Sequence, residues 1–166
     1  SYTRQKDPLG LGHAVWTARK LVGREPFAVL LGDVIIPGPQ PATRQIIEIY
    51  EETGIGAIAV EAVEREKTNL YGIVAGTPVE DPKWGGRLLQ VSDLVEKPRP
   101  EEAPSNLAVT GRYVLPPEIF DCLERTTAGR GGEIQLTDAL CLLAKEHGLL
   151  AFSYEGKSYD AGDKLG

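Results

Sequence analysis

Two acidic residues of this chain follow apolar segments, at points where a buried strand is expected to end. Asp33 follows the run FAVLLG at residues 27–32, and Asp160 follows the last apolar segment, within KSYDAG at residues 157–162. A carboxylate placed there can bind Mg²⁺, a hard cation that takes oxygen ligands. It can also cap a turn or lie in a polar surface loop. Each aspartate alone leaves both interpretations open, and Asp163 is a weaker candidate for the second ligand.

The segment VEKP at residues 95–98 places a carboxylate and an amine at the end of another strand-like stretch. Lys97 can neutralise a phosphate as a point charge, and Glu96 can accept hydrogen bonds from sugar hydroxyls. The same two residues could instead form a surface ion pair, which contributes little to stability. Both interpretations remain open for this segment.

Two glycines, Gly10 and Gly12, come immediately before a helical pattern. Exposed N–H groups at a helix start suit an anion or the edge of a base. The spacing fits neither G-x-G-x-x-G nor G-x-x-x-x-G-K-[ST], so a tight strand-to-helix turn is the favoured explanation. His13 beside this turn has no accompanying Ser or Cys nucleophile pattern, and we interpret it as structural.

Two further motifs could contact a sugar. Tyr71 stands beside Gly72, an arrangement in which the ring can stack on a sugar face or pack in the core. Thr110 and Gly111 lie within the strand-like stretch LAVTGRYVL, where backbone groups could reach hydroxyls.

The elements that must position these residues are predicted from the hydrophobic pattern. Helical and strand-like patterns alternate early, whereas strands cluster later. This order predicts a mixed α/β fold with a largely parallel central sheet, flanking helices and a β-rich inserted part. The apolar run at residues 27–31 predicts a strand covered on both sides, and residues 41–53 predict a helix that Gly54 ends. Because ligands of open α/β sheets sit at the carboxyl ends of strands, Asp33 is expected at the ligand edge.

Composition excludes several classes of function. A chain of 166 residues is long enough for one compact domain. Its net charge of −6 lacks the excess of positive charge that binding to nucleic acid requires. Its apolar stretches are too short to cross a membrane. Cys122 and Cys141 fit no metal-binding spacing. We interpret both as buried free thiols, which suits a reducing cytoplasm.

Together, these motifs resemble those of the bacterial UTP–glucose-1-phosphate uridylyltransferases (UDP-glucose pyrophosphorylases), members of the sugar-nucleotidyltransferase superfamily. The matching stretches run from Arg4 to Gly166 and read RQ, GLGHAVWTAR, EPFAVLLGDVI, YGIV, VEKP, APSNLAVTGRYVL, GGEIQLTDAL and GKSYDAGDKLG. The resemblance implies a Rossmann-like nucleotidyltransferase fold, with residues 1–166 forming a single truncated catalytic domain.

The resemblance also implies a role for each candidate residue. Gln5 and Gly10 match positions that read the uracil, and Asp33 and Asp160 match the two carboxylates that hold Mg²⁺. The positions that contact glucose 1-phosphate are Tyr71, Gly72, Glu96, Lys97, Thr110 and Gly111. Asp33, Lys97 and Asp160 are thus the implied catalytic residues, with Lys97 meeting the sugar phosphate.

The implied reaction is an in-line attack by a phosphate oxygen of glucose 1-phosphate on the α-phosphorus of UTP. Pyrophosphate leaves, and UDP-glucose forms in the cytoplasm with neither nucleic acid nor membrane as a partner. A sister nucleotidyltransferase that uses dTTP, GTP or ATP is the nearest alternative. A non-catalytic, regulatory relative is another, although such a protein is expected to have lost Asp33, Asp160 or Lys97.

The sequence departs from the family pattern at both ends. The family begins with a loop of the form G-x-G-T-R-x-x-P that wraps the triphosphate, and it ends with helices used in homo-oligomeric assembly. Neither is found in these 166 residues. We therefore expect the chain to be inactive in isolation, or to be part of a longer protein.

Overall fold

The computed structural model describes residues 2–129 and 132–161. Asp163, the weaker candidate for a metal ligand, lies outside these ranges. The α-helices within them are α1 (Leu11–Thr17), α2 (Arg19–Val22), α3 (Ala42–Thr53), α4 (Ile119–Arg125) and α5 (Leu136–Glu146), and 3₁₀ helices cover Arg65–Leu70 and Pro82–Trp84. The strands are β1 (Phe27–Leu30), β2 (Val34–Ile35), β3 (Ala57–Ala62), β4 (Gly72–Pro78), β5 (Leu88–Glu96), β6 (Leu107–Leu115), β7 (Leu150–Ser153) and β8 (Tyr159–Asp160).

A six-stranded mixed sheet forms the centre of the fold, in the order β1-β6-β3-β7-β5-β4. The mixed α/β class is therefore confirmed, but the expectation of a largely parallel sheet is wrong. In the described ranges only β3 and β7 pair in parallel, and every other pairing in this sheet is antiparallel. The reason is that β5 and β6 run opposite to the other four strands. β6 lies between β1 and β3, and β5 lies between β7 and β4.

Apolar side chains pack against both faces of this sheet. Ile58 and Val60 of β3 belong to one buried cluster, which includes residues of α1, α4 and α5. Ala57 and Ala59, which alternate with them, belong to a second cluster that includes α3. Because successive side chains of a strand point to opposite faces, the two clusters lie on opposite sides of the sheet. Helices therefore cover both faces, as the sequence predicted.

The first strand differs from its prediction. β1 pairs with β6 and forms an edge of the sheet, and its side chains alternate between half-buried and exposed. Leu30 is 54% exposed. The prediction of a strand covered on both sides is therefore wrong, because the continuous apolar run belongs here to an edge strand.

The predicted helix at residues 41–53 is confirmed as α3, and Gly54 ends it in the left-handed conformation with φ 67°. Cys122 is buried and Cys141 is half-buried, and both are free thiols. Among the described residues, no helix combines the length and the apolar character that a membrane crossing requires.

We expect Gly54→Ala in the full-length protein to lower the free energy of unfolding by about 1 kcal/mol, because the left-handed conformation is unfavourable for an L-residue. The melting temperature should then fall by about 3 °C. Gly32→Ala is the matched control, since a Cβ meets nothing within 4 Å at either position and only Gly54 has a positive φ. Equal melting temperatures for the two variants would contradict this account.

Candidate active site

A cavity of about 610 Å³ lies at the carboxyl ends of β1 and β3, beside the start of β4 and the end of β5. Most of the candidate residues line it, namely Asp33, Tyr71, Gly72, Glu96, Lys97, Thr110, Gly111 and Asp160. Gln5 and Gly10 are not part of its wall. The structure therefore brings the proposed sugar and metal residues together, whereas of the base-reading turn only Leu11, the residue after Gly10, lines this cavity.

The two aspartates are brought to this cavity by a small antiparallel ribbon formed by β2 and β8. In its register Val34 stands opposite Asp160, and the amide of Ala161 donates a hydrogen bond of 2.7 Å to the carbonyl of Asp33. The sequence did not predict this ribbon, because two-residue strands are too short to give an alternating pattern. Asp160 lies within β8 rather than after a strand.

The donor chemistry of this pair fits a hard divalent cation. Asp33 and Asp160 offer carboxylate oxygens at one cavity edge. The described residues contain no group of three or more His, Cys, Asp and Glu side chains arranged to bind a metal. Mg²⁺ commonly uses one or two protein carboxylates, with water and phosphate oxygens completing its octahedron. The number of carboxylates in this pair therefore matches what Mg²⁺ commonly takes from a protein.

Arg112 and Gly111 of β6 hold the backbone on either side of Asp33. The Arg112 guanidinium donates to the carbonyl of Leu31 at 3.0 Å and to that of Val34 at 2.5 Å. Gly111 has φ 71°, and a Cβ there would lie 2.9 Å from Leu31 Cδ1. A side chain at position 111 would therefore be strained and would collide with Leu31, so this position favours glycine. The neighbouring Arg112 fixes the loop that carries Asp33.

Glu96 is oriented by a residue that the sequence analysis missed. Thr137 of α5 donates a hydrogen bond of 2.6 Å from Oγ1 to Glu96 Oε2. A Cβ at Gly72 would lie 3.3 Å from that same oxygen, so glycine leaves room for the pair. Lys97 Nζ is 4.0 Å from Glu96 Oε1, and the lysine side chain is 50% exposed. This loose contact leaves the amine accessible to an anionic ligand.

Thr110 lies in the cavity wall and is hydrogen-bonded to the neighbouring strand. Its hydroxyl donates to the carbonyl of Ala59 at 3.1 Å, and the residue is 7% exposed. Its hydroxyl hydrogen is therefore occupied within the protein. A sugar contact by Thr110 stays a prediction.

Tyr113 forms a buried polar part of the cavity wall. Burial, with a smaller contribution from the Glu96 carboxylate, raises the pKa of Tyr113 far above its ordinary value. The phenol therefore keeps its proton at neutral pH and does not act as a base.

The Gly10 turn is held by contacts within the protein. Gln5 Nε2 donates to the carbonyl of Gly10 at 3.1 Å and lies 2.8 Å from His13 Nδ1. A Cβ at Gly10, where φ is 98°, would lie 2.8 Å from the carbonyl oxygen of Ile134. These contacts confirm a tight turn at Gly10 and give His13 a partner within the protein, but no strand precedes α1 among the described residues, so the strand before the turn was wrongly predicted. Uracil recognition by Gln5 and Gly10 stays a prediction.

Further ionisable residues line the cavity without having been predicted. Glu61 and Glu64 contribute carboxylates, and Lys67 and Lys157 contribute amines. Lys67 pairs with Glu64 at 2.9 Å, whereas Lys157 lies 5.9 Å from the ring centroid of Tyr159. Lys157 stands three residues before Asp160 in GKSYDAG, so its position in that motif was the available signal.

Comparisons with known proteins agree with this arrangement. A sequence model of the nucleotidyl transferase family matches residues 1–163. A UTP–glucose-1-phosphate uridylyltransferase of Staphylococcus saprophyticus is 52% identical over 166 residues, which cover 99% of this chain and 56% of the relative. The chain therefore spans about half the length of the curated relatives it matches.

Solved structures resemble the fold closely. A UDP-glucose pyrophosphorylase complexed with UDP-glucose superposes with a TM-score of 0.91 at 41% identity, covering 98% of this chain and 60% of the other. A UTP-bound UGPase from Acinetobacter baumannii gives a TM-score of 0.81 at 41% identity, covering 98% of this chain and 55% of the other. The resemblance inferred from the motifs is therefore confirmed.

Lys97 has an unusual backbone conformation. Among the described residues it is the one non-glycine residue with a positive φ, 46°, and its amide donates to the carbonyl of Tyr71 at 2.9 Å. Such a conformation costs of order 1–2 kcal/mol for an L-residue and persists where the surrounding structure imposes it. This backbone conformation directs Lys97 to the cavity wall, where its amine lies beside Glu96.

We expect Lys97→Gly to be more stable than Lys97→Ala by about 1 kcal/mol, because both variants lose the amine and only glycine relieves the strain. Thermal unfolding of the two full-length variants measures the difference. The same melting temperature for both would mean that the positive φ carries no cost.

Proposed function

Because this chain belongs to the nucleotidyl transferase family, we propose that its full-length protein transfers a uridylyl group from UTP to glucose 1-phosphate, giving UDP-glucose and pyrophosphate. The observation that carries the proposal is the cavity that joins the Asp33–Asp160 pair to Glu96 and Lys97. Relatives and structural neighbours named for this activity support it. Because the chain spans about half of such relatives, the activity is proposed for the whole protein.

The reaction we propose needs positioning and charge neutralisation rather than a covalent enzyme intermediate. Lys97 would contact the phosphate of glucose 1-phosphate and offset the charge of the attacking oxygen. Glu96, oriented by Thr137, would accept hydrogen bonds from the sugar hydroxyls. Tyr71 and Gly72 would flank the sugar. Holding the acceptor in line with the α-phosphorus removes much of the entropic part of the barrier.

Mg²⁺ is the proposed cofactor, held by Asp33 and Asp160. When bound, it would neutralise phosphate charge and act as a template for both substrates. The backbone pairing of β2 with β8 and the hydrogen bonds of Arg112 hold the two aspartates for this role.

Gln5 and Gly10 remain our proposal for base selection. The primary test is pyrophosphate release by the full-length protein with glucose 1-phosphate and, in separate reactions, UTP, dTTP, GTP or ATP. Preference for UTP supports the proposal, preference for another nucleotide favours a sister enzyme, and no turnover with any of them favours a regulatory relative.

The cytoplasm is the proposed location, since both cysteines are free thiols. Homo-oligomeric assembly is proposed for the full-length protein on the basis of the family resemblance. Light scattering of that protein, coupled to size exclusion, measures its assembly state.

We expect Asp33→Asn in the full-length protein to lower turnover by about 10²-fold or more, because it removes a charged ligand from the proposed metal site. The melting temperature should change little. Asp121→Asn, at an exposed position of α4, is the matched control. Wild-type turnover of Asp33→Asn at saturating Mg²⁺ would remove Asp33 from the site.

We expect Lys97→Ala to raise the KM for glucose 1-phosphate by about tenfold or more while the KM for UTP changes much less, because the amine serves the sugar phosphate. Lys20→Ala on α2 is the control for loss of an exposed amine. Equal increases in both KM values would argue against this assignment.

A further inference from the structure

We infer that Glu61 is a positioning residue, which fixes residues 154–158 and thereby sets Lys157 and Asp160 at the cavity. The inference rests on the proposed function for the part that Asp160 plays in the reaction. Glu61 lies near the end of β3, in the centre of the sheet, and it lines the cavity. Neither its spacing nor its neighbours in sequence marked it as a candidate.

The Glu61 carboxylate bonds to both ends of the segment that leads from β7 to β8. Its Oε2 accepts hydrogen bonds from the Tyr154 hydroxyl at 2.6 Å and from the Ser158 amide at 2.9 Å. Its Oε1 accepts from the Ser158 hydroxyl at 2.6 Å. Hydrogen bonds to an ionised acceptor are the stronger kind. One side chain therefore ties this segment to the central sheet.

These contacts distinguish Glu61 from a metal ligand. A carboxylate offers about four lone-pair directions, and donors of the protein already use three of those of Glu61. Burial, followed by the hydrogen bond to Glu61, raises the pKa of Tyr154 well above its ordinary value. The phenol therefore remains protonated, and it continues to donate to the carboxylate at neutral pH.

The opposite side of the same segment is held separately. The amide of Glu155 donates to Gln45 Oε1 of α3 at 3.1 Å, and a Cβ at Gly156 would lie 2.9 Å from the carbonyl of Pro37. Glu61 thus supplies the attachment on the cavity side. Ser158 is two residues from Asp160, so displacement of its backbone would move the carboxylate.

Two substitutions of Glu61 separate positioning from charge. In Glu61→Gln, a side-chain amide placed with its carbonyl in the position of Oε2 accepts from Tyr154 and the Ser158 amide, while its NH₂ can donate to the Ser158 hydroxyl. Glu61→Gln should therefore keep turnover within about threefold of wild type. Glu61→Ala removes all three bonds and should lower turnover by about 10- to 100-fold, the range found when groups that orient metal ligands are lost.

A second readout does not depend on turnover. We would titrate Mn²⁺ into the full-length protein with UTP present and follow free Mn²⁺ by electron paramagnetic resonance. Glu61→Ala should raise the apparent Kd by about tenfold or more, and Glu61→Gln by no more than about threefold. Amide hydrogen exchange should accelerate at residues 155–160 in Glu61→Ala alone.

Ile119→Val is the control for a general loss of stability. Ile119 of α4 is fully buried and belongs to the cluster that includes α5. This variant should lower the melting temperature while leaving exchange at residues 155–160 and the Kd for Mn²⁺ at their wild-type values.

The outcomes separate the inference from the proposed function. If the wild-type protein is active and Glu61→Ala matches it in turnover, Mn²⁺ affinity and exchange, the positioning role is overturned and the proposed function stands. If Glu61→Gln is as defective as Glu61→Ala, the charge of Glu61 acts directly and the positioning role is again overturned. If the wild-type protein transfers no nucleotide, the proposed function fails. In that case, faster amide exchange at residues 155–160 in Glu61→Ala still supports the conclusion that Glu61 holds this segment against the sheet.

Discussion

Two carboxylates at one cavity repel each other, so the fold must hold Asp33 and Asp160 there by other means. Pairing of β2 with β8 supplies the main constraint, because it fixes the backbones of both residues in one register. Two charged side chains from neighbouring central strands support it, since Arg112 of β6 holds the Asp33 loop and Glu61 of β3 holds the segment before Asp160. The cavity depends on this arrangement.

The antiparallel strands contribute the other half of the site. β4 and β5 form a hairpin whose open end brings Gly72 opposite Glu96, and the start of β4 also pairs with β6. Thr137 reaches the same carboxylate from α5. Residues that are far apart in sequence therefore meet where β3, β4, β5 and β6 border one cavity. A sheet with only parallel strands would not place the end of β5 beside the start of β4.

Prediction from sequence succeeded where a local pattern specified the structure. The helix at residues 41–53 and its Gly54 cap were predictable, because periodicity and a left-handed glycine are local properties. The position of Asp33 at a cavity was predictable from a strand end. Strand direction was not, because the reversal of β6 depends on pairing with distant partners. Glu61 was missed for the same reason, since its partners lie beyond β7 in the sequence.

The ribbon of β2 and β8 also limits how the length of this chain can change. Side chains alternate along a strand, so a shift of one residue in β8 would bring Tyr159 or Ala161 to the register position of Asp160 and put a phenol or a methyl group in place of a carboxylate. Loops ordinarily tolerate insertions and deletions better than the elements they connect. The number of residues between β7 and β8 therefore matters as well as their identity, because a deletion that shifts β8 by one residue brings Ala161 to this position and removes the acidic group from it.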